Sequence, residues 1–543
     1  MPDTEQSDHI GVRIPEDDAG LAVLPGPQLA NILGLAVILL TAALFRLAFV
    51  QQPLTDAFSW REVSTAMMAE NFRHDGWNIL YPEVSWTGPA PSYQGREFQL
   101  LSYTSALIDA LFGWHDWTGR AVATFFGVVT TFALHRLTAR IWEEPHAHCA
   151  ALCYAILPAA VMIDTSYLPD PAMLALVTLG LWLFVVFAST LNRVTLIYAT
   201  ASLTLGVLAK LPGLSIAIVI LPVWMGLYRS GNRAEARLAA LWLSGGLALV
   251  AAYYGWAVYL GRTTPPYHVA GHGYIWELGI GSFLHDWFYL PLLWRKAVAW
   301  FYGVPYLILI GLGLWSIPNA QTFRPSSRRA AILVHLPLIW LGSGLVLYLI
   351  AAREISANPW NLHYLSAPLA VFAGRGMIIA LRSGGTVILS WFGLARLATL
   401  VASVLIFATL PLLTAMKFPY AMDGQSLGEA LAAQSVPGDL IITVAPTVGD
   451  PVAIYYAHRR GWVFPPGGGR SDWSELLPDG PEAITAVTDL RGKGADWFAV
   501  SKQARDSLGQ HFMEHHKKLL KWLDENATKT ADTKAYLIYR FDK

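Results

Sequence analysis

The chain has 543 residues, of which 54% are hydrophobic and 14% charged, and its 38 basic residues balance 38 acidic ones. This composition excludes a soluble enzyme and points to a polytopic membrane protein. Zero net charge offers no basic surface for nucleic acid, while 22 Trp and 22 Tyr suit two interfacial belts and an amphipathic ligand.

Residues 1–28 are polar, acidic and Pro-containing, without a basic segment before a cleavage site, so they read as a disordered cytoplasmic tail. The run 29–50 matches a bilayer core in length. Directly behind it stands TDAFSWREVSTAMMAENF, with Asp56, Trp60, Arg61 and Glu62 close together and a helical pattern from Ser59 to Phe72. A simple anchor or pore has no need for such a set at a membrane surface. Ten further segments are long and apolar enough to cross: 118–140, 148–165, 170–190, 194–210, 211–228, 238–260, 296–316, 330–350, 362–381 and 392–414. Cys149 and Cys153 fall inside one of them and read as small buried side chains.

Charge sets the orientation. With the N-terminus inside, alternate connections should be rich in Lys and Arg. Those connections carry Arg136 and Arg140, then Arg193, then Arg229, Arg233 and Arg237, then Arg324, Arg328 and Arg329, then Arg382. The scheme requires Glu97 to Phe112, although apolar, to lie along the outer interface. It makes 51–117 and 261–295 external loops. It also brings Asp56, Arg96, Glu97, Asp170, Lys210, Arg353, Glu354 and His363 to one outer face.

Beyond residue 417 the pattern changes. Strands are expected at 439–444, 495–500 and 535–541, with helices near 450–459 and 482–492, forming an external α/β domain over 418–543. The Gly467-Gly468-Gly469 run lacks the Lys-Ser of a phosphate loop. His268, His272 and His285 lack close metal-ligand spacing.

Each polar group has a plain role beside a chemical one. Asp56 either caps the helix from Ser59 or serves as a general base tuned by burial and a nearby cation. Asp170, before Pro171, suits a helix start. Arg96, Lys210 and Arg353 either snorkel or clamp a phosphate beside His363 and Tyr364.

On these residues the chain resembles the C-type glycosyltransferases, polytopic enzymes that take a sugar from a polyprenyl-phosphate carrier on the non-cytoplasmic face. The likeness is to bacterial members of glycosyltransferase family 39, with protein O-mannosyltransferases and lipid A aminoarabinose transferases as cousins. It covers about 29–415 and rests on Asp56 with Trp60 to Glu62, on EFQLLSY from Glu97, and on Pro169-Asp170, Lys210 and HYLSAPL from His363. Two departures stand out. Asp56 is followed by Ala57 where some relatives have Asp-Glu, and Glu97-Phe98-Gln99 replaces the Glu-Lys-Pro of the aminoarabinose enzymes, with Arg96 as candidate substitute.

The resemblance implies an inverting transfer at the outer face of a bacterial inner membrane. The donor is a polyprenyl-phosphate-linked sugar and the acceptor a hydroxyl of a glycan, lipid or protein. Asp56 is the expected base, Lys210, Arg353 and Arg96 the expected phosphate cations, and Glu97 and Asp170 would orient substrate or hold a divalent metal ion. The prenyl chain would lie between spans. A flippase for lipid-linked glycans is the competing reading, but it calls for charge at mid-membrane and repeated halves.

Overall fold

The computed structural model describes residues 26–265, 267, 301–315, 333–351, 355, 358–382, 391–444, 450–465, 477–502 and 508–542. Seven of the described helical stretches are long and apolar enough to cross a membrane: Gln28–Leu47, Thr118–Trp142, Asp170–Thr190, Leu211–Arg229, Arg233–Thr263, Trp360–Leu381 and Arg396–Met416. With their membrane-protein-like composition they make this a multi-pass α-helical protein.

The bundle begins with α1 (Gly26–Leu47). The first loop then carries α2 (Ser59–His74), the two-residue strand β1 (Thr87–Gly88) and α3 (Leu100–Phe112). At 13 residues α3 is about 20 Å long, too short for a bilayer core. It packs on α2, with Ser102 Oγ donating to Thr65 O at 3.0 Å. Next come α4 (Thr118–Trp142), α5 (Glu144–Ile156) and α6 (Pro158–Ile163), the last two split by Pro158, which cannot supply the helical N–H. α7 (Asp170–Thr190) starts at a Pro in its first turn. α8 (Arg193–Ala209) starts at Asn192, whose Oδ1 accepts from Val194 N and Thr195 N. α9 (Ile216–Arg229) and α10 (Arg233–Thr263) follow, then α11 (Gly303–Trp315), α12 (Leu336–Ile350), α13 (His363–Arg382), α14 (Trp391–Val404) and α15 (Leu410–Met416).

The chain direction brings the ends of α1, α6, α8, α10 and α15 to the same bundle face as the starts of α4, α7 and α13. The described arginine-rich turns, at Arg136 and Arg140, Arg193, Arg229 to Arg237, and Arg382, fall at the opposite face.

Behind α16 (Met422–Gln434) the C-terminal region forms β2 (Leu440–Val444), α17 (Val452–Ala457), β3 (Arg460–Val463), α18 (Pro481–Gly492), β4 (Ala495–Ser501), α19 (Leu508–His515), α20 (Lys517–Asn526), β5 (Ala527–Asp532) and β6 (Tyr536–Phe541). The sheet order is β1-β3-β2-β4-β6-β5. β2 pairs in parallel with β3 and β4 and is buried along almost its whole length, so it reads as a continuous apolar run. The edge strand β1 comes from the first loop and pairs antiparallel with β3. Three further ties join loop and sheet domain. Tyr455 and Tyr456 hydroxyls donate to Asp116 at 2.9 and 3.0 Å, Arg460 Nη2 to Glu83 at 2.8 Å, and Leu54 N to the Tyr456 hydroxyl at 2.8 Å. The C-terminal domain is therefore built onto the same loop that carries Asp56.

Candidate active site

At the face where these helix ends meet lies a buried network of acids and cations. Asp56, just past α1, is 1% exposed. Its Oδ2 accepts from Arg120 Nη2 at 2.9 Å and from Lys417 Nζ at 2.8 Å, and its Oδ1 accepts from Phe58 N at 3.0 Å. Asp56 also shares a side-chain hydrogen bond with Glu62, so the four or so acceptor positions of its carboxylate are all engaged. Arg120 Nη2 also reaches Glu62 Oε2 at 2.9 Å, while Glu62 Oε1 accepts from Tyr167 N at 2.7 Å. Burial favours the neutral form of both carboxyls, yet they diverge. For Asp56, Lys417 and Arg120 together outweigh burial and hold the group well below its usual range. For Glu62, burial and the neighbouring Asp56 charge prevail over Arg120 and push the carboxyl up to about 7. Asp56 is thus the permanent anion and Glu62 the titrating partner.

A second knot adjoins the first. Arg46, inside α1, grips Asp164 Oδ2 through Nη2 at 2.8 Å and Nε at 3.1 Å; Tyr154 donates to the same oxygen at 3.1 Å. His363 Nε2 lies 3.0 Å from Asp164 Oδ1. Lys417 Nζ also approaches Thr165 O and Ser166 Oγ, both at 3.3 Å, which connects the two knots through the turn after α6. Gly127 of α4 makes room: a Cβ there would meet Asp164 Oδ2 at 2.6 Å and Arg46 Nε at 2.7 Å.

The third group faces the mouth of α8. Arg61 Nη2 donates to both Glu97 oxygens at 2.8 and 2.9 Å, and Lys210 Nζ to both Asp170 oxygens at 2.7 and 2.8 Å. Burial raises the Glu97 carboxyl, but Arg61 and then Lys210 outweigh it and hold it below the usual range. Arg96 lies over the Trp60 ring at 5.9 Å, and its Nε has no hydrogen-bond partner among the described residues. Phe98 and Tyr253 meet edge to face behind it, the Tyr253 hydroxyl donating to Glu97 O at 3.0 Å.

An apolar cavity of about 350 Å³ lies between α8, α9 and α10. It is lined by residues such as Leu203, Val207, Leu221, Leu243, Leu247 and Val250, and it spans about 15 Å along α10. Val207 and Val250 share a buried cluster with Tyr253, against which Phe98 packs, so packed side chains link the cavity wall to the Arg96–Glu97 turn.

The structure therefore brings Asp56, Trp60, Arg61, Glu62, Arg96, Glu97, Asp170 and Lys210 to one region. Several of the expected residues have partners that the sequence did not reveal. Glu97 and Asp170 each turn both oxygens to a cation, and Asp56 and Glu62 share Arg120. Lys210 is paired with Asp170. His363 turns to Asp164. Tyr364 bonds Ser343 Oγ at 2.9 Å and packs on Trp340, fully buried between helices. Arg353, Glu354, the three loop histidines and the Gly467–Gly469 run lie outside the described residues.

The sequence reading missed Arg46, Arg120, Asp164 and Lys417. An arginine inside an apolar span is itself a signal for a partner, and Arg46 and Arg120 carried it.

A polytopic bundle with buried carboxylates at one end, an apolar groove between its helices and an α/β domain tied to its first loop is the class these features define. Known proteins share the fold. The family model of dolichyl-phosphate-mannose-protein mannosyltransferases matches residues 99–256. The fold resembles ArnT from Cupriavidus metallidurans bound to undecaprenyl phosphate, with a TM-score of 0.57 and 12% identity over 95% of this chain and 98% of that one. It also resembles the oligosaccharyltransferase AglB from Archaeoglobus fulgidus in complex with an inhibitory peptide and a dolichol-phosphate, with a TM-score of 0.56 and 14% identity over 88% and 70% of the two chains. The Archaeoglobus fulgidus oligosaccharyltransferase in complex with Zn and sulfate gives a TM-score of 0.54 at 15% identity, over 86% and 68%. No curated protein matches the sequence. The chain has the fold of the C-type membrane glycosyltransferases, and the resemblance read from its sequence is borne out.

Proposed function

We propose that this protein is an inverting glycosyltransferase of the outer face of a bacterial inner membrane. It moves a sugar from a polyprenyl-phosphate carrier to an acceptor hydroxyl of a cell-envelope glycan, lipid or protein. One observation carries the reading: buried carboxylates, and a guanidinium over an indole, gather at one bundle end of a protein that also holds an apolar groove between α8, α9 and α10. The groove suits a prenyl chain, and Arg96 suits the phosphate.

The acceptor oxygen attacks the anomeric carbon as the bond to the phosphate oxygen breaks. The electron pair leaves on the phosphate, which goes from diester to monoester, an anion that needs no general acid. Asp56, the ionised carboxylate of the resting site, takes the hydroxyl proton. Arg120 and Lys417 fix its orientation. Arg96 stabilises the departing phosphate, where preorganised charge contributes most. Glu97 and Asp170 act as counter-ions that position Arg61 and Lys210. The first loop and the sheet domain tied to it cover the sugar and present the acceptor. The charges gather at one bundle end and not at mid-depth, which favours transfer over the flippase reading.

The test is sugar transfer from a labelled polyprenyl-phosphate donor by purified protein. Asp56→Asn should lose at least 100-fold in rate, of the order expected for a general base. Undiminished transfer would remove Asp56 from the chemistry.

A further inference from the structure

At the opposite end of the bundle, about 22 Å along α4 from Arg120, a second constellation plays no part in the transfer chemistry. His135 of α4 is 2% exposed, and neither of its ring nitrogens has a hydrogen-bond partner among the described residues. Its Nε2 faces Glu144 Oε2 at 3.4 Å, and that oxygen is likewise buried and unpartnered. His148, one turn along α5, places Nδ1 3.7 Å from the same oxygen. The two imidazoles stand edge to face with centroids 4.6 Å apart.

We propose that His135, Glu144 and His148 bind one first-row divalent ion of the zinc class. Their three ligand atoms lie within 4.8 Å of one another, and a tetrahedral zinc with bonds near 2.0 Å holds its ligands about 3.4 Å apart. Buried polar atoms that face each other without a hydrogen bond are unfavourable, and a cation supplies a partner to His135 Nε2 and Glu144 Oε2. His148 faces backbone carbonyls through both ring nitrogens, so binding a metal selects the tautomer. Its Nε2 is 3.1 Å from Asn31 O and its Nδ1 2.9 Å from Glu144 O. A neutral ring carries a single N–H. With the proton on Nε2, donated to Asn31 O of α1 in an outer hydrogen bond of the kind that orients ligating histidines, the Nδ1 lone pair exchanges its contact with Glu144 O for the metal. Two nitrogens and one carboxylate oxygen suit zinc, cobalt or nickel over calcium or magnesium. The fourth position is open to water, since Glu144 is partly exposed. The ion ties α4 to α5 and, through Asn31, to α1.

Full-length protein in detergent, stripped with chelator and re-equilibrated with Zn²⁺, should bind one equivalent by elemental mass spectrometry. His135→Ala, His148→Ala and Glu144→Gln should each lower this at least fivefold, while Asp56→Asn retains it. X-ray absorption of the zinc-loaded wild type should show an N/O shell with two imidazoles, a readout that does not depend on any variant folding. A wild type that binds no zinc, an absorption spectrum without imidazole, or loss in Asp56→Asn but not in folded histidine variants would overturn the assignment.

Discussion

Replacing Arg120 by Gln removes the group that holds Asp56 and Glu62 together. One nitrogen, fully buried, sits 2.9 Å from each carboxylate. Removing one partner of a buried pair costs about 3–5 kcal/mol, and the structure says how this should vary with pH. At pH 6 Glu62, with its carboxyl at about 7, already carries a proton, so the loss falls mainly on Asp56 and should sit near the lower figure, about 3 kcal/mol. At pH 8.5 wild-type Glu62 is ionised against Arg120. Without the guanidinium it must take up a proton, which adds about 2 kcal/mol at 1.36 kcal/mol per pH unit. The Arg120→Gln/Glu62→Gln double variant should lose that pH dependence and return to about 3 kcal/mol, since Asp56 alone is left to Lys417. Reversible denaturant unfolding in detergent, followed by tryptophan fluorescence at both pH values, measures all four corners of the cycle. A loss under about 1 kcal/mol, or one equal at both pH values, would refute the shared-guanidinium reasoning.

Two further outcomes follow from the same network. Glu62 is raised in the folded state, so its contribution to stability is complete below its unfolded value of 4.5 and declines as pH rises through about 7. Glu62→Gln should flatten the pH–stability curve by about 3 kcal/mol across that window, and an unchanged slope in the same unfolding assay would contradict the assignment. Gly127→Ala drives a methyl group into the Arg46–Asp164 pair and should cost about 1–3 kcal/mol, seen as a lowered midpoint in thermal unfolding; an unaltered midpoint would mean that the pair is not held this tightly.

Much of the fold was legible because long apolar runs and buried strands are one-dimensional signals. The expected spans at 118–140, 170–190 and 238–260 coincide with α4, α7 and α10, and the three expected strands with β2, β4 and β6. What escaped depends on partners. β1 is two residues of loop that become a strand only against β3, and β5, ATKTAD, is a polar edge strand without apolar alternation. In the site, Asp56, Arg61, Glu97, Asp170 and Lys210 were visible as charges beside spans. Their pairing was not, since contacts between Asp56 and Lys417 join positions far apart in the chain. The same blindness made Lys210 look like a free cation. Arg46 and Arg120 were passed over because apolar neighbours masked them, and Arg96 gained weight once Lys210 was seen paired with Asp170.

The most direct test of the proposed chemistry is a density map of the full-length protein with a polyprenyl phosphate bound. The account predicts the phosphate beside Arg96 and Trp60, within reach of Asp56, with the prenyl chain lying against Val207, Leu243 and Val250. A lipid whose phosphate sits at the arginine-rich face, with the groove empty, would contradict it.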